Sequence, residues 1–114
     1  MSRAGILPYK AQVLIYNYLA RGTDFIVHCK LKDDDLSIQH IAYDNYCQFN
    51  YHLRLFGNTL FFCSMQWNGT THWFDIYVQA RDEVICNSCV WKVRTDGPCL
   101  FAYYGTCYKW RTHL

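Results

Sequence analysis

The chain has 114 residues, a length that one hydrophobic core commonly serves, so we predict a single domain over residues 1–114. Eleven Lys and Arg residues against nine Asp and Glu residues give a formal net charge of +2, and their dispersal argues against a nucleic-acid partner. Seven cysteines favour an oxidising extracellular compartment, because a cytosolic chain would need a metal or a redox role to explain them.

The first strand signals come near the N-terminus. Residues 12–18 and 24–30 are rich in β-branched and aromatic side chains, and the polar, glycine-containing segment 20–23 between them predicts an N-terminal hairpin. Residues 37–44 fit a short edge strand.

The clearest alternation of apolar and polar residues runs from 46 to 56 and predicts a half-buried strand. Gly57 and Asn58 then offer a tight turn, and residues 59–67 form an aromatic strand that can run back. We therefore predict a second hairpin at this turn.

The C-terminal half continues the same pattern. Residues 71–78 and 89–95 are further strands bounded by glycine-containing turns, while 99–104 and 107–110 flank a turn and predict a closing hairpin. Strands that recur roughly every 8–12 residues, with no sustained helical period, predict an all-β sandwich or barrel.

The strand assignment divides nine of the aromatic residues into two sets. Five lie on predicted strands and are expected in the core, where each buries about 150–250 Å²: Phe61, Trp67, Phe74, Trp91 and Phe101. Four near the C-terminus are candidates for a partly exposed binding patch: Tyr103, Tyr104, Tyr108 and Trp110.

Other signals agree with secretion. Asn68 opens an Asn-Gly-Thr sequon beside a strand end, so we predict a glycosylation site there. Residues 1–8 lack the apolar stretch of a signal peptide, and we interpret the sequence as that of a mature, processed chain. No apolar run approaches the roughly 18 residues that cross a bilayer, which predicts a chain without direct membrane insertion.

Four segments in order resemble the plant self-incompatibility S-protein family, whose founding members are the stigma S proteins of poppy. The segments are HCKLKDDDL at 28–36, TLFFCSMQW at 59–67, FDIY at 74–77 and CNSCVWKVRTDG at 86–97. The resemblance runs from about residue 13 to residue 97.

This resemblance implies a small, secreted, disulfide-bonded antiparallel β-sandwich that binds a partner and catalyses no reaction. It implies a signalling ligand of the pistil that a pollen membrane receptor recognises, with calcium influx and arrest of incompatible pollen tubes. A homologue with another developmental or toxin-like defence role is the alternative. We expect a monomer with no cofactor and no metal.

The four cysteines common to the family carry over to Cys29, Cys63, Cys86 and Cys89, which the resemblance implies are disulfide-bonded. The sequence does not determine their connectivity; our working pairing joins Cys29 with Cys89 and Cys63 with Cys86. The chain adds three further cysteines, and the odd total requires at least one free or intermolecular thiol: Cys47, Cys99 and Cys107.

Catalytic and metal chemistry find little support. The CxxC at 86–89 has the spacing of a thioredoxin-type pair, but it leads into a strand instead of opening a helix, so we favour structural disulfides to distant partners. No second Cys or His pair stands at zinc-ligand spacing. A hydrolase or nuclease would need a paired acid and base, and His72 beside Trp73 is the nearest approach.

Two charged loops are the candidates for receptor recognition. The first holds Asp33, Asp34 and Asp35, which lack the spaced ligands of a calcium-binding loop and are more simply explained as a solvated turn. The second holds Arg81, Asp82 and Glu83 beside Cys86, and loops tethered to a rigid scaffold are where binding residues concentrate. Charge reversal at Asp82 is expected to abolish activity while the fold stays intact. A membrane-active toxin would need a basic amphipathic face, which +2 of dispersed charge does not supply.

Overall fold

Ten β-strands and one short helix form the regular structure of the described residues, 10–31, 34–52, 59–101 and 105–110 of a computed structural model. Their bounds are β1 Lys10–Asn17, β2 Phe25–Leu31, β3 Asp34–Asp35, β4 Gln39–Ile41, β5 Tyr46–His52, β6 Leu60–Trp67, β7 Thr70–Val78, α1 Gln79–Asp82, β8 Ser88–Arg94, β9 Gly97–Phe101 and β10 Thr106–Cys107. Within these residues no helix has the length and apolar character that crossing a membrane requires.

The strands form two sheets. Sheet A has the order β10-β9-β8-β1-β5, and sheet B has the order β3-β2-β6-β7, with β4 also paired to β2. The predicted all-β sandwich is confirmed. Among the described strands the pairing is antiparallel, except that β1 runs parallel to β8.

Both hairpins predicted in the N-terminal half are wrong. Strand β1 lies in sheet A and β2 in sheet B, and β5 and β6 are divided between the sheets in the same way. Alternation tells which face of a strand is buried, but either sheet of a sandwich can supply the opposite wall of the core. The segment after β1 is a corner between sheets, which Asn17 secures because its Nδ2 donates to the carbonyl oxygens of Thr23 and Ile41 at 2.7 and 2.9 Å.

The strands predicted for residues 59–67 and 71–78, the closing hairpin and the edge strand are confirmed. Strands β6 and β7 form a hairpin around Asn68 and Gly69, whose φ values of 51° and 76° are those of the turn that matches strand twist. The closing hairpin exists as β9 and β10, and residues 39–41 form the edge strand β4 on β2. The turn predicted at Gly57 and Asn58 lies outside the described residues.

Aromatic side chains from both sheets meet in the core. Tyr51 of sheet A contacts Phe61 of sheet B edge to face at 4.4 Å between ring centroids, and Trp91 contacts Phe74 at 5.3 Å. Such edge-to-face pairs add about 0.5–1.5 kcal/mol each beyond their buried area. Phe101 was predicted in the core and is instead 47% exposed, because it lies on the outer face of the short strand β9.

The predicted disulfide pairing is wrong. The bonds join Cys29 with Cys63, Cys86 with Cys89, and Cys99 with Cys107. Cys29 and Cys63 lie directly opposite each other on β2 and β6, whereas Cys89 belongs to the other sheet. Cys47 is the free thiol that the odd count required, and it is buried.

The C-terminal segment 105–110, here termed the strap, joins the two sheets at their open side. The Cys99–Cys107 disulfide and a bond from the Tyr108 N–H to the Pro98 oxygen at 2.9 Å hold the strap to β9. Gly97 makes this close approach possible, because a Cβ there would overlap the Tyr108 carbonyl oxygen.

The two described aromatic residues of the strap pack against the sandwich. Tyr108 lies 5.5 Å from Phe74, and Trp110 lies 4.9 Å from His72, measured between ring centroids. They are half-buried and cover part of β7, an edge strand that would otherwise face solvent. Tyr103 and Tyr104 of the predicted patch lie outside the described residues.

Candidate functional site

Both charged segments singled out in the sequence lie at one end of sheet B. Leu31 at the end of β2 is opposite Phe61 at the start of β6, and Phe61 is opposite Tyr77 at the end of β7. The turn after β2 and the helix α1 after β7 therefore leave the sheet on the same side, two strand spacings or about 10 Å apart. We call this side the display end.

The first segment is the acidic hairpin formed by β2 and β3. Asp34 and Asp35 are exposed, and Asp35 lies opposite Lys30 in the register of the two strands. The His28 Nε2 atom lies 2.5 Å from Asp35 Oδ1, which fixes that carboxylate on the hairpin. Asp33 lies outside the described residues.

The second segment divides into a buried base and an exposed tip. Arg81 donates from Nε and Nη2 to the two carboxylate oxygens of Asp82 at 2.6 and 2.7 Å. Asp82 Oδ2 also accepts the Val78 N–H at 2.9 Å, and the Asp82 side chain has 0% exposed surface. Asp82 therefore offers nothing for a partner to contact, and because it is buried in an ion pair we now expect reversal of its charge to destabilise the fold.

Aromatic rings complete the surroundings of Arg81. Its guanidinium carbon lies 5.2–5.5 Å from the ring centroids of Phe74, Trp91 and Tyr108, within the range of a cation–π contact. The Nη2 atom also donates to the Asp75 carbonyl oxygen at 3.0 Å. With 25% of its side chain exposed, Arg81 anchors the segment from below and presents little of itself to solvent.

The exposed tip is the display loop, residues 83–87. Glu83 is exposed, and Val84 is 85% exposed, an unusual position for a β-branched apolar residue. On one side the loop is held by the Ile85 N–H bond to the Asp82 oxygen, and on the other by the Cys86–Cys89 disulfide. Val84 was not identified from the sequence, although an apolar residue between charged residues and a cysteine was the available signal.

Two buried tyrosines lie beneath the display loop. Burial, followed by the neighbouring Tyr77 and the negative charge of Asp82, raises the pKa of Tyr51. Burial, followed by the charges of Asp82 and Glu83, raises the pKa of Tyr77 to about 12. Both phenols are therefore neutral at physiological pH, and among the buried described residues at the base of the display end the charges are those of the Arg81–Asp82 pair.

The arrangement of the cysteines indicates a structural role and not a redox role. Cys86 and Cys89 are bonded to each other, against the prediction of distant partners, and they follow α1 and lead into β8. A thiolate at the end of a helical turn lacks the stabilisation that a helix N-terminus gives. Burial raises the pKa of the Cys47 thiol to about 12, so this cysteine is protonated and unreactive.

The described residues do not form a site for the alternative chemistries, which are acid–base catalysis and metal binding. His72 is stacked on Trp67 at 4.3 Å, and burial lowers its pKa. In the described part of the chain, no group of three His, Cys, Asp or Glu residues is placed to hold a metal ion. Asn68 is exposed at the tip of the β6–β7 hairpin, where a glycan would have room.

Comparisons with known proteins agree with this architecture. The family profile described as "Plant self-incompatibility protein S1" matches residues 12–111. S-protein homolog 5 of Arabidopsis thaliana is 37% identical over 108 residues, covering 94% of this chain and 84% of the relative. S-protein homolog 2 of the same plant is 39% identical over 114 residues, covering 92% of this chain and 71% of the relative.

A solved structure shares the fold. It is described as "Structure of SPH (Self-Incompatibility Protein Homologue) proteins, a widespread family of small, highly stable, secreted proteins from plants". The TM-score is 0.65 at 11% sequence identity, with 94% of this chain and 99% of the other covered.

Proposed function

Since the chain belongs to the plant self-incompatibility protein S1 family, we propose that it is a secreted signalling ligand recognised by a membrane receptor. Its relatives are described as small secreted plant proteins, and three disulfides suit an oxidising extracellular location. Members of this family are not known as enzymes. The ligand acts by binding, as a monomer and without a cofactor.

The display loop carries this proposal. A loop held at both ends loses little conformational entropy when a partner immobilises it, so its side chains contribute more of their contact energy to affinity. Glu83 and Val84 combine a charge with an apolar contact, and Asp34 and Asp35 add negative charge on the same side of sheet B. A receptor that contacts both segments would be expected to carry basic residues around an apolar centre.

The finer proposal is that this receptor lies on the pollen membrane, and that binding leads to calcium influx and arrest of incompatible pollen tubes. The test exposes pollen tubes of several genotypes to the purified, oxidised protein while growth and intracellular calcium are followed. Arrest with calcium entry in some genotypes supports the proposal. Arrest of every genotype favours a general toxin, which leakage of anionic vesicles would identify, and no response in any genotype contradicts the pollen role.

Variants of the display end localise the recognition surface. Glu83→Lys and Asp34→Lys reverse exposed charges there and are expected to reduce the response, while the melting temperature stays within about 2 °C because exposed substitutions change stability little. Asp24→Lys is the matched control, since Asp24 is exposed and precedes β2 at the opposite end of the sheet. Equal activity of all three variants would contradict recognition through the display end.

We also propose that Asn68 carries an N-linked glycan when the chain passes through a plant secretory pathway. The hairpin tip is exposed, so the sequon is accessible in the folded chain. The chain secreted from plant cells should lose mass on enzymatic deglycosylation, and the Asn68→Gln variant should not. An identical mass before and after treatment would contradict the assignment.

A further inference from the structure

A cleft with a volume of about 550 Å³ opens at one end of sheet A. Strand β1 pairs with β5 from Lys10 onward, but its pairing with β8 begins only at Gln12. The Gln12 N–H donates to the Asn87 carbonyl oxygen at 3.0 Å, and beyond this bond β1 and the segment before β8 separate. Asn87 lies between the bonded cysteines 86 and 89, so one wall of the cleft is rigid.

A directional chain of hydrogen bonds orients the polar groups of the cleft. Gln48 Nε2 donates to Gln12 Oε1 at 2.7 Å and to Asn50 Oδ1 at 3.0 Å. Gln12 Nε2 then donates to Ser88 Oγ at 2.7 Å. These bonds use Gln12 Oε1, Asn50 Oδ1 and Ser88 Oγ as acceptors. Within the described residues, the Asn50 Nδ2 group and the Ser88 hydroxyl proton remain as donors for a ligand.

The charge and the size of the cleft restrict the class of ligand that it can bind. Lys10 adds an ammonium group to these donors, and none of the described residues that line the cleft is acidic. A site with a cation and several donors favours an anion that has more than one acceptor oxygen. The volume lies in the range of small-molecule sites and is larger than an inorganic ion requires.

We propose that this cleft binds a carboxylated saccharide, with the carboxylate at Lys10 and ring hydroxyl oxygens accepting from Asn50 and Ser88. A secreted plant protein meets such uronic acid residues in the cell wall. The cleft shares Asn87 with the display loop, but the proposed ligand contacts are Lys10, Asn50 and Ser88, whereas receptor recognition is proposed at Glu83 and Val84.

The test is an NMR titration of the oxidised, full-length chain with digalacturonic acid. The matched ligand is its methyl ester, which keeps the rings but lacks the negative charges, and inorganic sulfate tests for a simple anion site. We expect digalacturonic acid to shift the amide signals of Lys10, Asn50 and Ser88, and to bind about tenfold or more tightly than the ester, as loss of a charge-assisted hydrogen bond implies. No shift at millimolar sugar, or equal binding of sulfate, would overturn the proposal.

Three variants separate the roles of the residues. Lys10→Gln should abolish the preference for the acid over its ester, because the cation makes that distinction. Gln48→Leu should weaken both ligands in the same ratio, because Gln48 only positions Gln12 and Asn50. Lys109→Gln removes an exposed lysine of the strap and should change neither affinity. If Lys10→Gln kept the full preference for the acid, the proposed position of the carboxylate would be wrong.

Discussion

Replacement of Asp82 by Asn tests the distinction between buried base and exposed tip at the display end. The substitution keeps the shape of the side chain and an oxygen that can accept the Val78 N–H, but it removes the partner of Arg81. Breaking a buried ion pair from one side costs about 3–5 kcal/mol, because the other charge is left poorly solvated. Arg81 keeps 25% of its side chain exposed and can regain some water, so we expect about 3 kcal/mol, the low end of that range.

The melting temperature provides the assay. For 114 residues, an unfolding entropy of about 2.1 cal/mol/K per residue makes 1 kcal/mol equivalent to about 4 °C. Asp82→Asn should therefore lower the melting temperature by about 12 °C. Glu83→Gln is the matched control, because it removes one negative charge from the adjacent, exposed position and should have almost no effect.

A double-mutant cycle assigns the loss to the pair itself. Arg81→Met should cost less in the Asp82→Asn background than in the wild-type chain, with a difference within the ~0.5–3 kcal/mol typical of contacting residues. If Asp82→Asn melted within about 2 °C of Glu83→Gln, or if the two substitutions were additive, the ion pair would not be the base of the loop.

Three further predictions concern other parts of the sandwich. Gly97→Ala should destabilise the chain by at least about 2 kcal/mol in thermal unfolding, because the new methyl group must push the Tyr108 backbone away; a change under about 0.5 kcal/mol would contradict that contact. Cys47 should resist a thiol reagent at pH 8 in the native state and react with one equivalent in denaturant, and fast native labelling would refute its burial. The folded-state pKa of Tyr77 is raised above its ordinary value of 10, so this group should leave stability unaffected below pH 10 and lower it between pH 10 and about 12. Ultraviolet titration of the wild-type chain and of Tyr77→Phe measures the pKa of this phenol. Coincident titration curves would contradict the shift.

The sequence predicted strands well and their partners poorly. Alternation in residues 46–52 and in β1 reports a buried face, which is a local property that a single segment displays. Pairing depends on which sheet takes each strand, and the polar corner after Asn17 has the same composition as a hairpin turn. The disulfide connectivity depends on the same pairing, since Cys29 and Cys63 become neighbours only when β2 and β6 are adjacent.

The sequence singled out the two charged segments of the candidate site, but it predicted neither their common position nor which of their residues are buried. The acidic hairpin and the segment near Cys86 were identified from charge and tethering, and both lie at the display end. Nothing in the local sequence distinguishes the buried Asp82 from the exposed Glu83, because α1 has four residues and is too short to display a helical period. The cleft beside Lys10 was missed for a similar reason, since β1 and β8 are distant in sequence and meet only through the parallel pair.

The parallel pairing of β1 with β8 also affects the order in which the two sheets can form during synthesis. Sheet B draws all its strands from residues 25–78, so it can assemble, with the Cys29–Cys63 bond closed, while the chain is still being made. Sheet A takes β1 from the start of the chain and β8, β9 and β10 from its end, and such distant pairing is slow to form. Strand β1 can pair with β5 early, but its other edge stays open until β8 has been made, so the β1–β8 pairing is among the last contacts to be secured.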